Sequence, residues 1–180
     1  AGVAPAGEYM ENLAFEDWKR VTAIDLDSVF LGCKHGIRTI KKYSSPKAND
    51  GAIINISSIM GIVGFPRNAD YNASKGGVRI MTKVAALECA ELGYGIRVNS
   101  IHPGFIDTAL VRDAVEEGTK RPDAVLQSAN EMIDMLVMAH PIGRLGEARD
   151  IGDAVVFLAS PRSGFMTGSE LVVDGGYTAR

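Results

Sequence analysis

The sequence predicts an α/β fold built around a parallel sheet. Short and almost unbroken apolar segments, typical of strands that are buried on both faces, occur at 52–58, 95–104 and 168–176. Long segments with apolar residues at helical spacing lie between them, so consecutive strands must be joined by crossovers. The 180 residues are enough for one domain with a sizeable core.

The predicted elements follow in a simple order along the chain. Apolar residues at near-helical spacing predict a first helix over 15–43, and the polar segment 44–51 forms a loop before the first strand. A second long helix is predicted over 72–92, where glycines end it. The methionine-rich segment 107–139 has a mixed helical pattern, and 147–160 forms an amphipathic helix before the last strand.

Composition excludes several classes of function. The net charge is −3 and no basic run is interleaved with aromatic residues, so nucleic acid is not an expected partner. No apolar stretch approaches the roughly 20 residues of a membrane span, and the first residues lack the pattern of a signal peptide. Cys33 and Cys89 lie in helical patterns, which predicts buried thiols and a cytoplasmic protein. His35, His102 and His140 have no metal-ligand spacing, so no metal site is expected.

A candidate catalytic pair lies at the start of the second long helix. Tyr71 and Lys75 are four residues apart and therefore share one helix face. An ammonium near a phenol favours the phenolate, so Lys75 should lower the pKa of Tyr71 from its ordinary value of about 10. Such a tyrosine can act as a general acid or base nearer neutral pH. The spacing alone is also common in exposed pairs without a function.

Two predicted strand ends lie near this pair. The strand 52–58 ends in Ser57 and Ser58, and Ser58 lies 13 residues before Tyr71, far enough for a loop to return its hydroxyl to the phenol. The next strand ends in "HPGFIDT", which places small and polar groups at its carboxyl end. Because the carboxyl ends of parallel strands form the usual binding edge of such sheets, the sequence predicts one pocket there.

These segments resemble the short-chain dehydrogenase/reductase family. The matching pieces are "INISS", "YNASK", "RVNSIHPGFIDT", "PIGRLGEARDIGDAVVFLAS" and "TGSELVVDGGYTAR", which stand in the family's order and spacing. The likeness is strongest to bacterial secondary-alcohol and hydroxysteroid dehydrogenases. It implies a Rossmann-like doubly wound parallel sheet in one domain, 1–180. It also implies that a secondary alcohol and a ketone are interconverted with NAD, or alternatively NADP.

The resemblance assigns catalytic roles to matching positions. The family's tyrosine, here Tyr71, exchanges a proton with the substrate oxygen, and its lysine, here Lys75, lowers the pKa of that tyrosine and binds the nicotinamide ribose. The family's serine, here Ser58, hydrogen-bonds the substrate oxygen. Ser57 is the alternative, although its simpler role is that of a strand-end hydroxyl bound to backbone.

Further roles follow from the same resemblance. The implied cofactor contacts, beside the catalytic pair, are Ala1, Gly2, Pro103, Gly104, Ile106 and Thr108. Gly104 can also be read as a simple turn glycine. Asn99 is expected to hydrogen-bond neighbouring loop backbone rather than substrate.

One departure from the family concerns the first long helix. Where the family commonly has an asparagine that completes a proton relay through a water molecule, this sequence has Asp25. An aspartate can accept a hydrogen bond from that water but cannot donate one, and its buried charge should oppose formation of the phenolate. We expect Asp25 to serve in the relay with an optimum shifted to alkaline pH.

A second departure concerns the cofactor. The family's T-G-x-x-x-G-x-G loop binds the pyrophosphate, and the residue that distinguishes NAD from NADP lies in the same half of the domain; neither feature occurs in these 180 residues. We therefore expect the chain to be part of a longer protein, a domain without its first βαβαβ half, since a sheet without its first strands exposes an apolar edge. The alternative is a truncated, non-catalytic protein.

The substrate is expected to be a small apolar ketone or secondary alcohol. Its expected contacts are Ser58, Met60, Phe65 and Phe105, with Ile59 and Pro66 nearby. The segment 107–139 is the expected lid, since Met132, Met135 and Met138 are adaptable groups, although packing of one amphipathic helix explains them equally well. A 3-oxoacyl-thioester reductase of the same family is the alternative enzyme. Similar proteins are homotetramers that pair the two long helices and the last strand.

Overall fold

The computed structural model describes residues 2–45, 50–124, 126 and 128–179, and at its centre lies a parallel sheet. Its strands are β1 (Gly51–Ile56), β2 (Ile96–Pro103) and β3 (Glu170–Val173), in the order β1-β2-β3. Both pairings are parallel, with Ile56 opposite Ile101 and Pro103 opposite Val173. The α/β fold with crossover connections, predicted from the sequence, is confirmed.

The first long helix is interrupted by a wider turn. It consists of α1 (Phe15–Thr22), a π-helical turn over Ala23–Asp27 and α2 (Ser28–Ile40). The turn places the carboxylate of Asp25 in the interior, where the residue is 1% exposed. Single π-helical turns occur frequently at functional sites, because they move one side chain out of the regular helical register.

The other described α-helices are α3 (Ala69–Glu91), α4 (Ala109–Thr119), α5 (Ala129–Met138) and α6 (Ala148–Ala159). Two of them, α3 and α6, pack on the sheet, and the other two, α4 and α5, pack on each other. Helix α3 begins three residues before the predicted start, so Tyr71 lies inside its first turn. The described residues of the segment 107–139 include the helices α4 and α5. Leu136 of α5 is buried, while Met135 and Met138 are exposed.

The core lies between α3 and the sheet. Ala85, Ala86 and Cys89 of α3 pack against Ile96 and Val98 of β2. Strand β2 is buried from Ile96 through His102, which fits a strand covered on both faces. Cys33 and Cys89 are buried and free, as predicted.

Two searches of the described residues returned nothing. No helix among them is long and apolar enough to cross a bilayer. In the same part of the chain, no three side chains of the His, Cys, Asp or Glu type come together as a metal-binding group.

Candidate active site

The serine-containing end of β1 lies directly against helix α3. After Ile56 the chain runs through Ser57 and Ser58 into a single 3₁₀ turn, Ile59–Gly61. Ser57 Oγ donates a hydrogen bond to the carbonyl oxygen of Lys75 at 2.8 Å. A Cβ atom on Gly61 would lie 2.6 Å from the same oxygen, so only glycine allows this approach of backbone to backbone.

Ser58 and Tyr71 are brought together by this packing. The Ser58 hydroxyl accepts a hydrogen bond from Met60 N at 3.1 Å, which begins the 3₁₀ turn. The Tyr71 phenol lies close enough to the same hydroxyl for the two side chains to interact, a contact that favours a lower pKa of the phenol. The Ser57 hydroxyl, in contrast, is occupied by the backbone of α3. This geometry favours Ser58 over Ser57 as the serine that contacts a substrate.

Lys75 lies between the tyrosine and a carboxylate. Its Nζ is 5.4 Å from the centre of the Tyr71 ring and 3.1 Å from Asp25 Oδ1. The Ile56 carbonyl oxygen is a second acceptor, at 3.5 Å. The contact with Asp25 has the distance of an ion pair, but Oδ1 has no aligned hydrogen-bond donor among the residues that the structure describes. Because an ammonium has three N–H bonds, at least one is left for a further acceptor.

The pKa of Tyr71 is raised to about 12, chiefly by burial and then by the negative charge of Asp25. The sequence-based prediction that Lys75 lowers this pKa is therefore wrong for the structure. The physical reason is that Asp25 balances the charge of the ammonium, while burial disfavours the phenolate. The opposing effect of Asp25 on the phenolate, predicted from the sequence, is confirmed.

The N-terminal residues pack on the same carboxylate. Asp25 Oδ2 accepts a hydrogen bond from Val3 N at 3.1 Å. A Cβ atom on Gly2 would lie 2.9 Å from Asp25 Oδ1, so the backbone at Gly2 passes close to the ion pair. Ala1, predicted to contact a cofactor together with Gly2, lies outside the described residues.

The end of β2 forms the opposite side of the site. Gly104 cannot carry a side chain, since a Cβ would lie 2.8 Å from His140 Nε2 and 2.9 Å from Asp174 Cα. In addition to its place in the turn, Gly104 therefore allows the close packing against His140 and Asp174. After Pro103 and Gly104 the chain pairs with a second segment, as Ile106 forms a parallel bridge with Gly146.

Thr108 and Asn99 are both turned toward backbone. Thr108 Oγ1 donates to the carbonyl oxygen of Ile106 at 3.3 Å, just before α4 begins. Asn99 donates to Met166 O at 2.8 Å and accepts from Ser169 N at 3.0 Å. The prediction that Asn99 binds loop backbone is confirmed.

Aromatic rings line the expected substrate side. The Phe65 and Phe105 rings meet edge to face with centroids 6.3 Å apart. Phe105 also contacts the Tyr177 ring at 5.8 Å and the His140 ring at 5.9 Å. Met60 is 5% exposed, so it offers little surface to a ligand.

Sequence reasoning missed several residues that hold the site together. Asp70, fully buried beside Tyr71, accepts from Tyr71 N at 2.8 Å and from Ala6 N at 3.0 Å. Asn72 donates to the carbonyl oxygens of Met60 at 2.6 Å and Val63 at 2.7 Å. Both residues flank Tyr71 in the sequence, and this adjacency is the signal by which they could have been found. Nothing in the sequence indicated the close approach at Gly61.

Comparison with known proteins gives a consistent result. Residues 1–178 match a family model described as enoyl-(acyl carrier protein) reductase. The chain is 44% identical over 180 residues to an NADP-dependent (R)-specific alcohol dehydrogenase of Lentilactobacillus kefiri, and it covers 64% of that protein. It is 39% identical over 170 residues to a cyclopentanol dehydrogenase of Comamonas sp., 60% of which it covers.

Solved structures show the same architecture. The aldohexose dehydrogenase of Thermoplasma acidophilum, in ligand-free form, superimposes with a TM-score of 0.85 at 31% identity. The match covers 100% of this chain and 66% of that one. The chain therefore spans a little under two thirds of the length of the proteins it matches.

Proposed function

Because this chain belongs to the short-chain dehydrogenase/reductase family, we propose that the whole protein is a nicotinamide-dependent oxidoreductase that interconverts a secondary alcohol and a ketone. The observation that carries the proposal is the meeting of Ser58, Tyr71 and Lys75 at the carboxyl end of the sheet. A serine hydroxyl, a phenol and an ammonium in that arrangement can bind a carbonyl oxygen and exchange a proton with it.

Each of the three residues has a distinct task in this proposal. Tyr71 donates its proton to the substrate oxygen when a ketone is reduced, and its phenolate accepts that proton when an alcohol is oxidised. Ser58 holds the same oxygen by a hydrogen bond. With its pKa raised to about 12, Tyr71 is a protonated acid near neutral pH, so oxidation gains from alkaline conditions while reduction does not need them.

A nicotinamide cofactor, when bound, supplies or accepts the hydride in this reaction. Within the described part of the chain two observations fit such a group: Lys75 keeps an N–H without an acceptor, and Oδ1 of Asp25 is buried without an aligned donor. Lys75 would bind the ribose hydroxyls in this proposal. The other proposed cofactor contacts are Ala1, Gly2, Tyr71, Pro103, Gly104, Ile106 and Thr108.

We propose NADP ahead of NAD. The support is the Lentilactobacillus kefiri relative, which is named as NADP-dependent. The family resemblance implies NAD, with NADP as the alternative, because the residue that distinguishes the two in the family lies in the half of the domain that these 180 residues lack.

The proposed substrate is an apolar and preferably cyclic secondary alcohol or its ketone. The rings of Phe65 and Phe105, which meet edge to face, would supply an apolar wall for such a substrate. The name of the Comamonas relative, a cyclopentanol dehydrogenase, points to the same class. Hydroxysteroids are larger members of the same substrate class. We also propose that the segment 107–139 forms a lid over the bound substrate.

The test is an assay of the whole protein with cyclopentanol, cyclohexanol, acyclic secondary alcohols, a hydroxysteroid and a 3-oxoacyl thioester. Each is measured with NADP and NAD by the absorbance of the reduced nicotinamide. We expect turnover of the cyclic alcohols, at a higher rate with NADP than with NAD. In Tyr71→Phe the rate of turnover should fall by a factor of about 10² or more. The matched control is Tyr43→Phe, at an exposed tyrosine, which should keep full activity. Turnover of the thioester and of no other substrate would favour the alternative, a 3-oxoacyl-thioester reductase. Absence of turnover with every substrate in the folded wild-type protein would contradict the proposal.

A further inference from the structure

We propose that His102 is a positioning residue for Ser58, a role that rests on the proposed function. His102 lies at the end of β2 and is completely buried. Its Nδ1 is 3.1 Å from the backbone carbonyl oxygen of Ser58, and its Nε2 is 2.9 Å from Ser100 Oγ. The ring thus connects the central strand to the serine that would hold the substrate oxygen.

The hydrogen-bond partners determine which ring nitrogen carries the proton. A carbonyl oxygen can only accept, so Nδ1 of His102 must donate to Ser58 O. In the neutral ring Nε2 is then an acceptor, and the Ser100 hydroxyl donates to it. Both nitrogens of the ring have partners in this tautomer, as a buried polar group requires.

Burial also keeps the ring neutral. Burial is the main reason that the pKa of His102 lies below its ordinary value, and the cations Arg79 and Lys83 act in the same direction. The negative charge of Glu170 and the hydrogen bond to Ser58 act to raise the pKa of His102, but they do not offset the lowering. The Nδ1 donor to Ser58 is therefore a fixed neutral group over the range in which the enzyme would work.

The contact with His102 differs in kind from the hydrogen bonds that Ser58 accepts within its own turn. Gly61 N donates to the same carbonyl oxygen at 2.9 Å, and Met60 N donates to the Ser58 hydroxyl at 3.1 Å. Both donors belong to the turn that follows Ser58 and would move with it. His102 belongs to the neighbouring strand, so it holds the peptide of Ser58 relative to the sheet and to the segment 103–108.

A purely structural histidine is the competing explanation. Such a histidine would fill space and accept the hydrogen bond of the Ser100 hydroxyl. Its replacement would lower the stability of the fold, and any loss of turnover would not depend on Ser58. A double-mutant cycle with Ser58→Ala separates the two explanations, because residues that act through each other are not additive.

The experiment measures turnover of cyclohexanol, affinity for reduced nicotinamide cofactor and thermal unfolding in the whole protein. His102→Asn places an amide N–H near the position of Nδ1, whereas His102→Gln places its amide near Nε2 and loses the contact with Ser58. We expect kcat to fall about 10- to 100-fold in His102→Gln and distinctly less in His102→Asn, with cofactor affinity unchanged in both. In the Ser58→Ala background, His102→Gln should cause little further loss.

The matched control is Asn99→Leu. Asn99 is on the same strand and equally buried, but it binds Met166 and Ser169 rather than the site, so its loss should lower stability and leave kcat near that of the wild type. Equal losses in His102→Asn and His102→Gln, or losses that multiply with Ser58→Ala, would overturn the inference. Absence of turnover in the folded wild-type protein would instead reject the proposed function, and the inference with it.

Discussion

At the level of single residues, the charge of Lys75 is balanced inside the site by Asp25. The two charged groups are 3.1 Å apart and both are almost fully buried, so their attraction is much stronger than it would be in water. A lone ammonium would stabilise the phenolate of Tyr71, but a paired one does so weakly. Burial and the carboxylate then raise the pKa of Tyr71.

Replacement of this carboxylate should move the activity toward lower pH. In Asp25→Asn the negative charge that raises the pKa of Tyr71 is removed, and the charge of Lys75 is no longer balanced. Both changes favour the phenolate, so the rise of alcohol oxidation with pH should occur roughly one pH unit lower than in the wild type. The measurement is kcat for oxidation across a pH series.

Asp27→Asn is the matched control for this variant. Asp27 is in the same π-helical turn but is exposed, so its loss should leave the pH profile where it was. Superimposable profiles for Asp25→Asn and the wild type would show that Asp25 has no electrostatic role in the site.

The meeting of Ser58, Tyr71 and Lys75 could be predicted from the sequence, but the electrostatics of these groups could not. Helical spacing places Tyr71 and Lys75 on one face, and a strand end places Ser58 nearby. The sign of the Tyr71 pKa change depends on burial and on a salt bridge between residues 50 positions apart, which spacing alone does not reveal.

At the level of elements, the site depends on contact between the 3₁₀ turn after β1 and helix α3. Gly61 lies so close to the Lys75 carbonyl that a methyl group would have to push the turn away from the helix. The hydrogen bond from Ser57 to the same carbonyl would be lengthened by that movement.

Gly61→Ala should therefore destabilise the protein and misplace Ser58. Because the clash is with backbone rather than with a flexible side chain, we expect the free energy of unfolding to fall by about 1–3 kcal/mol or more. We also expect a loss of turnover that exceeds the loss of folded protein. Urea unfolding and activity per folded molecule measure the two effects.

Gly64→Ala is the control in the same loop. A Cβ atom at Gly64 meets no atom within 4 Å, so this variant should unfold at the same urea concentration as the wild type or at a slightly higher one. A Gly61→Ala variant as stable as the Gly64→Ala variant would contradict the close packing of turn and helix.

Most elements could be predicted from hydrophobic periodicity, with bounds that differ by a few residues. The periodicity of 15–43 predicts one helix, and it could not show the π-helical turn over Ala23–Asp27. One extra residue in a helical turn changes the pattern of apolar side chains very little. It nevertheless determines whether Asp25 faces the interior.

For the whole molecule, apolar side chains remain exposed along helix α3. Ile80, Val84 and Leu87 form one face of that helix, and Leu87 is 70% exposed. Phe30 and Leu31 of α2 are about half exposed. Exposed apolar side chains of this kind are typical of an interface between subunits, so we propose a homotetramer paired through the long helices, as the family resemblance implies.

A charge on this face should weaken the assembly. Leu87→Glu would bury an unpaired carboxylate in the interface, so we expect light scattering to give a lower molar mass than for the wild type. Asp113→Lys, at an exposed polar position of α4, should leave the mass unchanged. A wild-type protein that is monomeric at all concentrations would contradict the proposed homotetramer.

The parallel sheet and its crossovers could be predicted because buried strands and amphipathic helices alternate along the chain. The contacts among distant segments could not. Gly104, for example, lies against Asp174 because β2 and β3 are neighbours, and against His140 because the end of α5 comes to the same place.

The central claim, that Tyr71 exchanges the proton with the substrate, is tested most directly by the pH dependence of both reaction directions in the wild-type whole protein. With the pKa of Tyr71 raised to about 12, ketone reduction should be nearly constant between about pH 6 and pH 9, because the phenol stays protonated. Alcohol oxidation should rise steeply over the same range as the phenolate fraction grows. Oxidation that is independent of pH, or reduction that rises together with it, would contradict the account.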